Sequence, residues 1–123
     1  MSDKKKVLIA EDEKEHSEAL ALKLGSAGYE AVVAENGRRA LELLSESAFD
    51  FVLLDLVMPE VDGFGVLEGM KARNIQTPVI VLSNLGQADN EQRVRELGAK
   101  EFLIKSDVSI ASVIERVNAL LSE

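Results

Sequence analysis

Five polar residues close apolar runs in this 123-residue sequence at places where packing alone gives no reason for them. Glu11 and Asp12 follow residues 7–10, Asp55 follows residues 51–54, Ser83 follows residues 79–82 and Lys105 follows residues 101–104. Adjacent carboxylates repel unless a cation or a proton separates them, so the run Glu11-Asp12-Glu13 favours a divalent metal. The same acids suit the start of a helix, where the backbone dipole favours negative charge. Both roles hold together if Glu11 and Asp12 take the metal and Glu13 the first helical turn. Taken alone, Asp55 reads equally as a reactive carboxylate or as a turn cap. Lys105 alone reads as a solvated surface lysine, and Ser83 as a cap. As a set, three carboxylates, a hydroxyl and an ammonium suit phosphoryl transfer. Glu11, Asp12 and Asp55 would hold Mg²⁺, a hard cation satisfied by a few carboxylates and waters. Asp55, central in the set, would attack phosphorus and form an acyl phosphate. Lys105 and the Ser83 hydroxyl would bind the phosphoryl oxygens that the metal does not reach.

Such a set works only if the chain brings it together. The apolar runs do not alternate with polar residues, the pattern of strands covered on both faces. Between them the spacing is helical. Leu20, Leu24 and Ala27 mark one face over residues 13–27, with Gly28 as the stop. Residues 30–35 hold a second strand. Asn36 reads as a helix cap and not as part of an Asn-Gly hairpin, because Ala40, Leu41 and Leu44 follow at helical spacing. Pro59 and Asp62-Gly63 mark a loop after Asp55, and Val66, Leu67 and Met70 place a helix over residues 64–73. Residues 89–97 form the least anchored helix, with Val94 and Leu97 as its apolar stripe before Gly98. Ile110, Val113, Ile114, Val117, Leu120 and Leu121 mark the last and clearest helix.

Strand and helix thus alternate five times. That order predicts an α/β fold, a doubly wound five-stranded parallel sheet with helices on both faces and right-handed crossovers. All strands then point one way, and the five polar residues share the carboxyl edge where open α/β sheets place ligand crevices. His16, the one histidine, reads as a helix packing residue, since no partner motif makes it a base.

Composition removes several function classes. The length fits one domain. With 14 basic and 22 acidic residues the net charge is −8, which argues against direct contact with nucleic acid or an anionic membrane surface. The apolar runs are too short to span a membrane, and Lys4-Lys5-Lys6 leads into a strand-length run and not a secretory leader, so a cytoplasmic location is expected. The lack of cysteine excludes disulfides, thiolate chemistry and Cys-ligated zinc.

On the acid pair Glu11-Asp12, the segment Leu54-Asp55-Leu56-Val57-Met58-Pro59 with Asp62-Gly63 after it, Ser83 and Lys105, the chain resembles a response-regulator receiver domain of two-component signalling. It is similar to the single-domain chemotaxis regulator. The resemblance implies one receiver domain over residues 1–123, with the flavodoxin-like strand order 2-1-3-4-5. It makes Asp55 the phosphoacceptor, charged by a sensor histidine kinase or by small acyl phosphates, and adds the Val57 backbone carbonyl to Glu11, Asp12 and Asp55 as the Mg²⁺ ligands. It makes Ser83 and Phe102 switch residues, although Phe102 on its own reads as core. It implies a signalling domain that catalyses only its own phosphorylation and dephosphorylation, and that signals a downstream protein through the fourth helix and fifth strand. It further implies a monomer that pairs through the fourth-helix face on phosphorylation.

Other classes fit less well. A receiver-like interaction module that never carries phosphate has no use for Asp55 beside Glu11 and Asp12. An aspartate-nucleophile phosphatase wants a second aspartate shortly after the first, where Val57 stands. A flavin site wants a hydroxyl- and glycine-rich loop after the first strand, and Glu11-Asp12-Glu13 would repel the flavin phosphate. The chain also departs from the family pattern in three places. Ser106 replaces a proline that is often preceded by a cis bond; a non-proline cis bond costs about 3 kcal/mol, and a trans bond either re-aims Lys105 or needs other contacts to hold the loop. Asn84 replaces a small residue, and its side chain either crowds the phosphoryl pocket or bonds to it. Phe102 replaces a frequent tyrosine and removes a hydroxyl.

Overall fold

A computed structural model describes residues 4–85 and 88–122. The strands are β1 (Lys6–Ala10), β2 (Glu30–Ala34), β3 (Phe51–Leu54), β4 (Val79–Ser83) and β5 (Glu101–Ile104). The helices between and after them are α1 (Lys14–Ser26), α2 (Gly37–Glu46), α3 (Gly63–Ala72), α4 (Ala88–Glu96) and α5 (Ile110–Leu121). All strand pairs are parallel and the order across the sheet is β2-β1-β3-β4-β5, the expected doubly wound, flavodoxin-like arrangement.

Successive side chains of a strand point to opposite faces, so a strand buried on both sides divides between two cores. Val52 and Leu54 of β3 join Leu8, Ala10 and Val81 under Leu44, Val66 and Val94 of α2, α3 and α4. Phe51 and Leu53 join Val7, Ile9 and Ile80 under Leu20, Leu24, Val113 and Val117 of α1 and α5. Each large apolar side chain fully buried in this way contributes roughly 2 kcal/mol. This explains why the central strands show no alternation in sequence. At the sheet edge, all four residues of β5 stay half-buried.

Local signals set the element ends. Asn36 caps α2, its Oδ1 accepting the Arg39 N–H at 2.8 Å, so the helix prevails over the hairpin. Asp62 caps α3 through the Gly65 N–H at 2.9 Å. Gly28 stops α1 with φ +96°, a conformation that side chains disfavour. The expected apolar face of α1 is corrected at its end: the helix closes at Ser26, Ala27 is exposed, and the buried stripe is Ser17, Leu20 and Leu24. Ser17 tolerates burial because its hydroxyl donates to the Lys14 carbonyl at 3.1 Å. A short 3₁₀ turn, Lys105–Asp107, follows β5 and was not legible in the sequence. Among the described residues no helix is long and apolar enough to cross a membrane.

The loop after β3 is built tightly around Gly63. Its N–H donates to the Leu56 carbonyl at 3.0 Å. A Cβ there would lie 2.5 Å from the Asp55 carbonyl oxygen and 2.7 Å from Leu56 Cα, both of them backbone atoms. Gly63→Ala is therefore expected to displace the Asp55 backbone and to lower stability by about 3 kcal/mol, the upper range for overpacking. Urea unfolding checks this; wild-type stability would show that the loop relaxes freely.

Candidate functional site

The sheet register brings the selected residues together. Ala10 pairs with Leu54, so the next residues on β1 and β3, Glu11 and Asp55, stand side by side. Chain order reverses between these two strands, the topological switch point where parallel sheets open a crevice. The ladder continues at Asp55, whose N–H donates to the Ala10 carbonyl at 2.9 Å. Asp55 is 5% exposed and Glu11 only 3%. Asp55 Oδ1 accepts the Val57 N–H at 3.2 Å, and Glu11 Oε2 accepts the Glu13 N–H at 3.0 Å.

Lys105 organises the acids. Its Nζ lies 2.8 Å from Glu11 Oε1, 2.8 Å from Glu13 Oε1 and 3.0 Å from Asp55 Oδ2. Burial alone would lower its pKa, but hydrogen bonds to these three carboxylates outweigh it and raise the pKa above the usual lysine value. Glu11 is pushed up chiefly by burial and partly by the Asp55 charge, against the hydrogen bonds from Lys105, the Glu13 N–H and His16. One ammonium thus faces more negative charge than it neutralises.

Glu11, Asp12 and Asp55 each offer a carboxylate oxygen, and these oxygens lie within 4.8 Å of one another. An all-oxygen set of this size and charge fits Mg²⁺, which takes few protein ligands and keeps its waters. Val57 joins the site through its N–H and lines a cleft of about 170 Å³ with Asp55, Ser83, Asn84 and Lys105. Ser83 is fully buried, and its hydroxyl oxygen accepts the Leu85 N–H at 3.3 Å. Phe102 stands apart from the acids, opposite Val81 in the ladder and partly buried against the core under α4. A larger groove of about 560 Å³ opens near Leu67, Pro78 and Leu97, at the other end of the sheet from the acids.

Two site residues were missed in the sequence. His16, read there as a packing residue, places Nδ1 2.9 Å from Glu11 Oε1 and forms part of the site wall. Its signal was its place in the first turn of α1, from which a polar side chain reaches back over the helix start. Glu13, assigned only to the first turn, precedes α1 and turns the carboxylate of its 64%-exposed side chain to Lys105. The Lys105–Ser106 bond is trans, no cis peptide occurring among the described residues. Asn84 Oδ1 accepts the Ser106 N–H at 2.9 Å.

Comparison with known proteins decides the family. The family model of the response regulator receiver domain matches residues 7–118. The chain belongs to that family. Over 116 residues this receiver chain is 33% identical to the transcriptional regulatory protein CusR of Escherichia coli K12, covering 94% of the chain and 51% of CusR. It therefore spans about half the length of the curated transcriptional regulators it matches. Among solved structures, the receiver domain of the Francisella response regulator 1452 is 35% identical, with TM-score 0.90 over 96% of this chain and 97% of that one. A chain from the CheX-CheY-BeF3-Mg²⁺ complex of Borrelia burgdorferi is 28% identical, with TM-score 0.87 over 94% of this chain and 88% of its own. The expectation of no nucleic-acid contact rests on the charge of these 123 residues alone, since relatives twice as long are transcriptional regulators.

Proposed function

We propose that residues 1–123 form one receiver domain in which Asp55 accepts a phosphoryl group from a sensor histidine kinase or a small acyl phosphate. The observation that carries this reading is a buried Asp55 with a carboxylate oxygen within 4.8 Å of those of two further acids, Glu11 and Asp12, and bonded to Lys105 at 3.0 Å. An Asp55 carboxylate oxygen bonds to phosphorus while the bond from phosphorus to the donor's leaving group breaks, giving an acyl phosphate. Glu11, Asp12, Asp55 and the Val57 carbonyl would hold Mg²⁺, which would supply the positive charge that a phosphodonor needs to enter an acidic cleft. The Lys105 ammonium swings from its carboxylates to the incoming phosphoryl oxygens, and stabilises charge as it develops. Ser83 already accepts the Leu85 N–H, so its own hydrogen remains for a phosphoryl oxygen.

Movement of Ser83 toward the phosphoryl group passes to Phe102, whose half-buried ring stands on the neighbouring edge strand. The output is a changed α4 and β5 surface read by a downstream protein, with dimerisation as one form of it. The domain catalyses only its own phosphorylation and dephosphorylation, in the cytoplasm. Support comes from the Borrelia complex, which holds BeF3 and Mg²⁺. Intact-mass spectrometry after incubation with acetyl phosphate tests the reading. One phosphoryl adduct is expected with Mg²⁺ and none after chelation, and light scattering of the same samples reports pairing. Absence of an adduct with Mg²⁺ would leave the phosphate-independent interaction module instead.

A further inference from the structure

Two departures from the family pattern, Asn84 and Ser106, meet in space. A proline at 106 would have no N–H. Serine carries one, and Asn84 Oδ1 accepts it at 2.9 Å. The 3₁₀ turn at Lys105–Asp107 has no side-chain cap of its own from Ile104, so this bond reaches it from the end of the neighbouring strand. The ladder prepares the contact: Ser83 pairs with Ile104, which sets the following residues, Asn84 and Lys105, next to each other. Lys105 is thereby anchored on both sides, at Ile104 by the sheet and at Ser106 by the Asn84 amide. Its side chain is only 10% exposed and its ammonium meets three carboxylates at once, an aim that a long, flexible stem keeps only from a fixed backbone.

We infer that Asn84 is the positioning residue for Lys105: its side-chain carbonyl holds the Ser106 peptide, and so aims the ammonium at Asp55. The inference deepens the proposed function and rests on it for its kinetic consequence. Asn84 is exposed, so replacing it leaves the core intact. Asn84→Leu keeps the approximate size and removes the acceptor. With saturating Mg²⁺ it is expected to slow adduct formation from acetyl phosphate about tenfold, the kinetic equivalent of one hydrogen bond. In a Lys105→Met background the same change is expected to cost less than about twofold, because residues acting through one another are not additive. Amide exchange at Ser106 is expected to accelerate about tenfold in Asn84→Leu, with a shift of the Lys105 Nζ resonance. An additive double mutant, or unchanged Ser106 exchange and Nζ resonance, would overturn the inference. If the wild type forms no adduct, the functional reading fails, and the exchange and resonance data still decide what Asn84 does.

Discussion

Asp55→Asn is expected to abolish the phosphoryl adduct completely while changing stability by no more than about 1 kcal/mol. The amide is no nucleophile, yet it has nearly the shape of the carboxylate, so the sheet edge is unchanged. Asp55 uses one oxygen for the Val57 N–H and the other for Lys105. Asparagine satisfies only one of these donors, since its nitrogen turns a hydrogen toward the other. The lost bond is opposed by relief of the repulsion between Asp55 and Glu11, since the Asp55 charge helps push the Glu11 pKa upward. Metal binding has no such compensation. One of the three carboxylates that would hold Mg²⁺ is lost, and Mg²⁺ affinity is expected to fall at least about tenfold, read by calorimetry. Full adduct yield from this variant would move the acceptor to another residue.

The sequence held the fold because burial on both faces leaves a direct mark. Phe51–Leu54 and Val79–Leu82 are apolar at every position since each side chain enters one of two cores. Strand ends then became legible as a group, and Glu11, Asp12, Asp55, Ser83 and Lys105 do gather at one edge. The contacts that refine the site were not legible, because they depend on how an element is rotated or where it stops. His16 faces Glu11 only through the pitch of the first turn of α1, and Glu13 reaches a lysine 92 residues away. Asn84 and Ser106 each stood out as a departure, but spacing does not show that one satisfies the other. Edge exposure was equally hidden: Phe102, Leu103 and Ile104 are as apolar as β3, and only strand order makes them half-buried. Ala27 kept the helical period of α1, which ends one residue earlier.

Lys105→Met is expected to separate the two tasks proposed for the ammonium, holding the acids together and binding the phosphoryl group, because they would change in opposite directions. Methionine keeps much of the stem and loses the charge, leaving buried Glu11 and Asp55 facing each other without a cation. Without Mg²⁺ the variant is expected to lose about 3–5 kcal/mol near neutral pH, the cost of breaking a buried ion pair. The loss depends on pH with a definite sign. The raised Glu11 pKa means its stabilising effect is full below the unfolded value of 4.5 and is lost as pH rises through the folded one. The raised Lys105 pKa means the ammonium's own contribution is full below 10.5 and is lost only in more alkaline solution, while its absence in the variant removes a hydrogen bond that lowers the Glu11 pKa. The gap between variant and wild type in urea unfolding should therefore widen from acid to neutral pH. Mg²⁺ should close more of it in the variant, and bind more tightly there, since no ammonium competes for Glu11 Oε1 and Asp55 Oδ2. Phosphorylation at saturating Mg²⁺ should nonetheless fall about 10²–10³-fold, as when one preorganised donor to developing charge is removed. Tighter metal with slower transfer assigns Lys105 to the phosphoryl group. Weaker metal with wild-type transfer would confine it to holding the acids together.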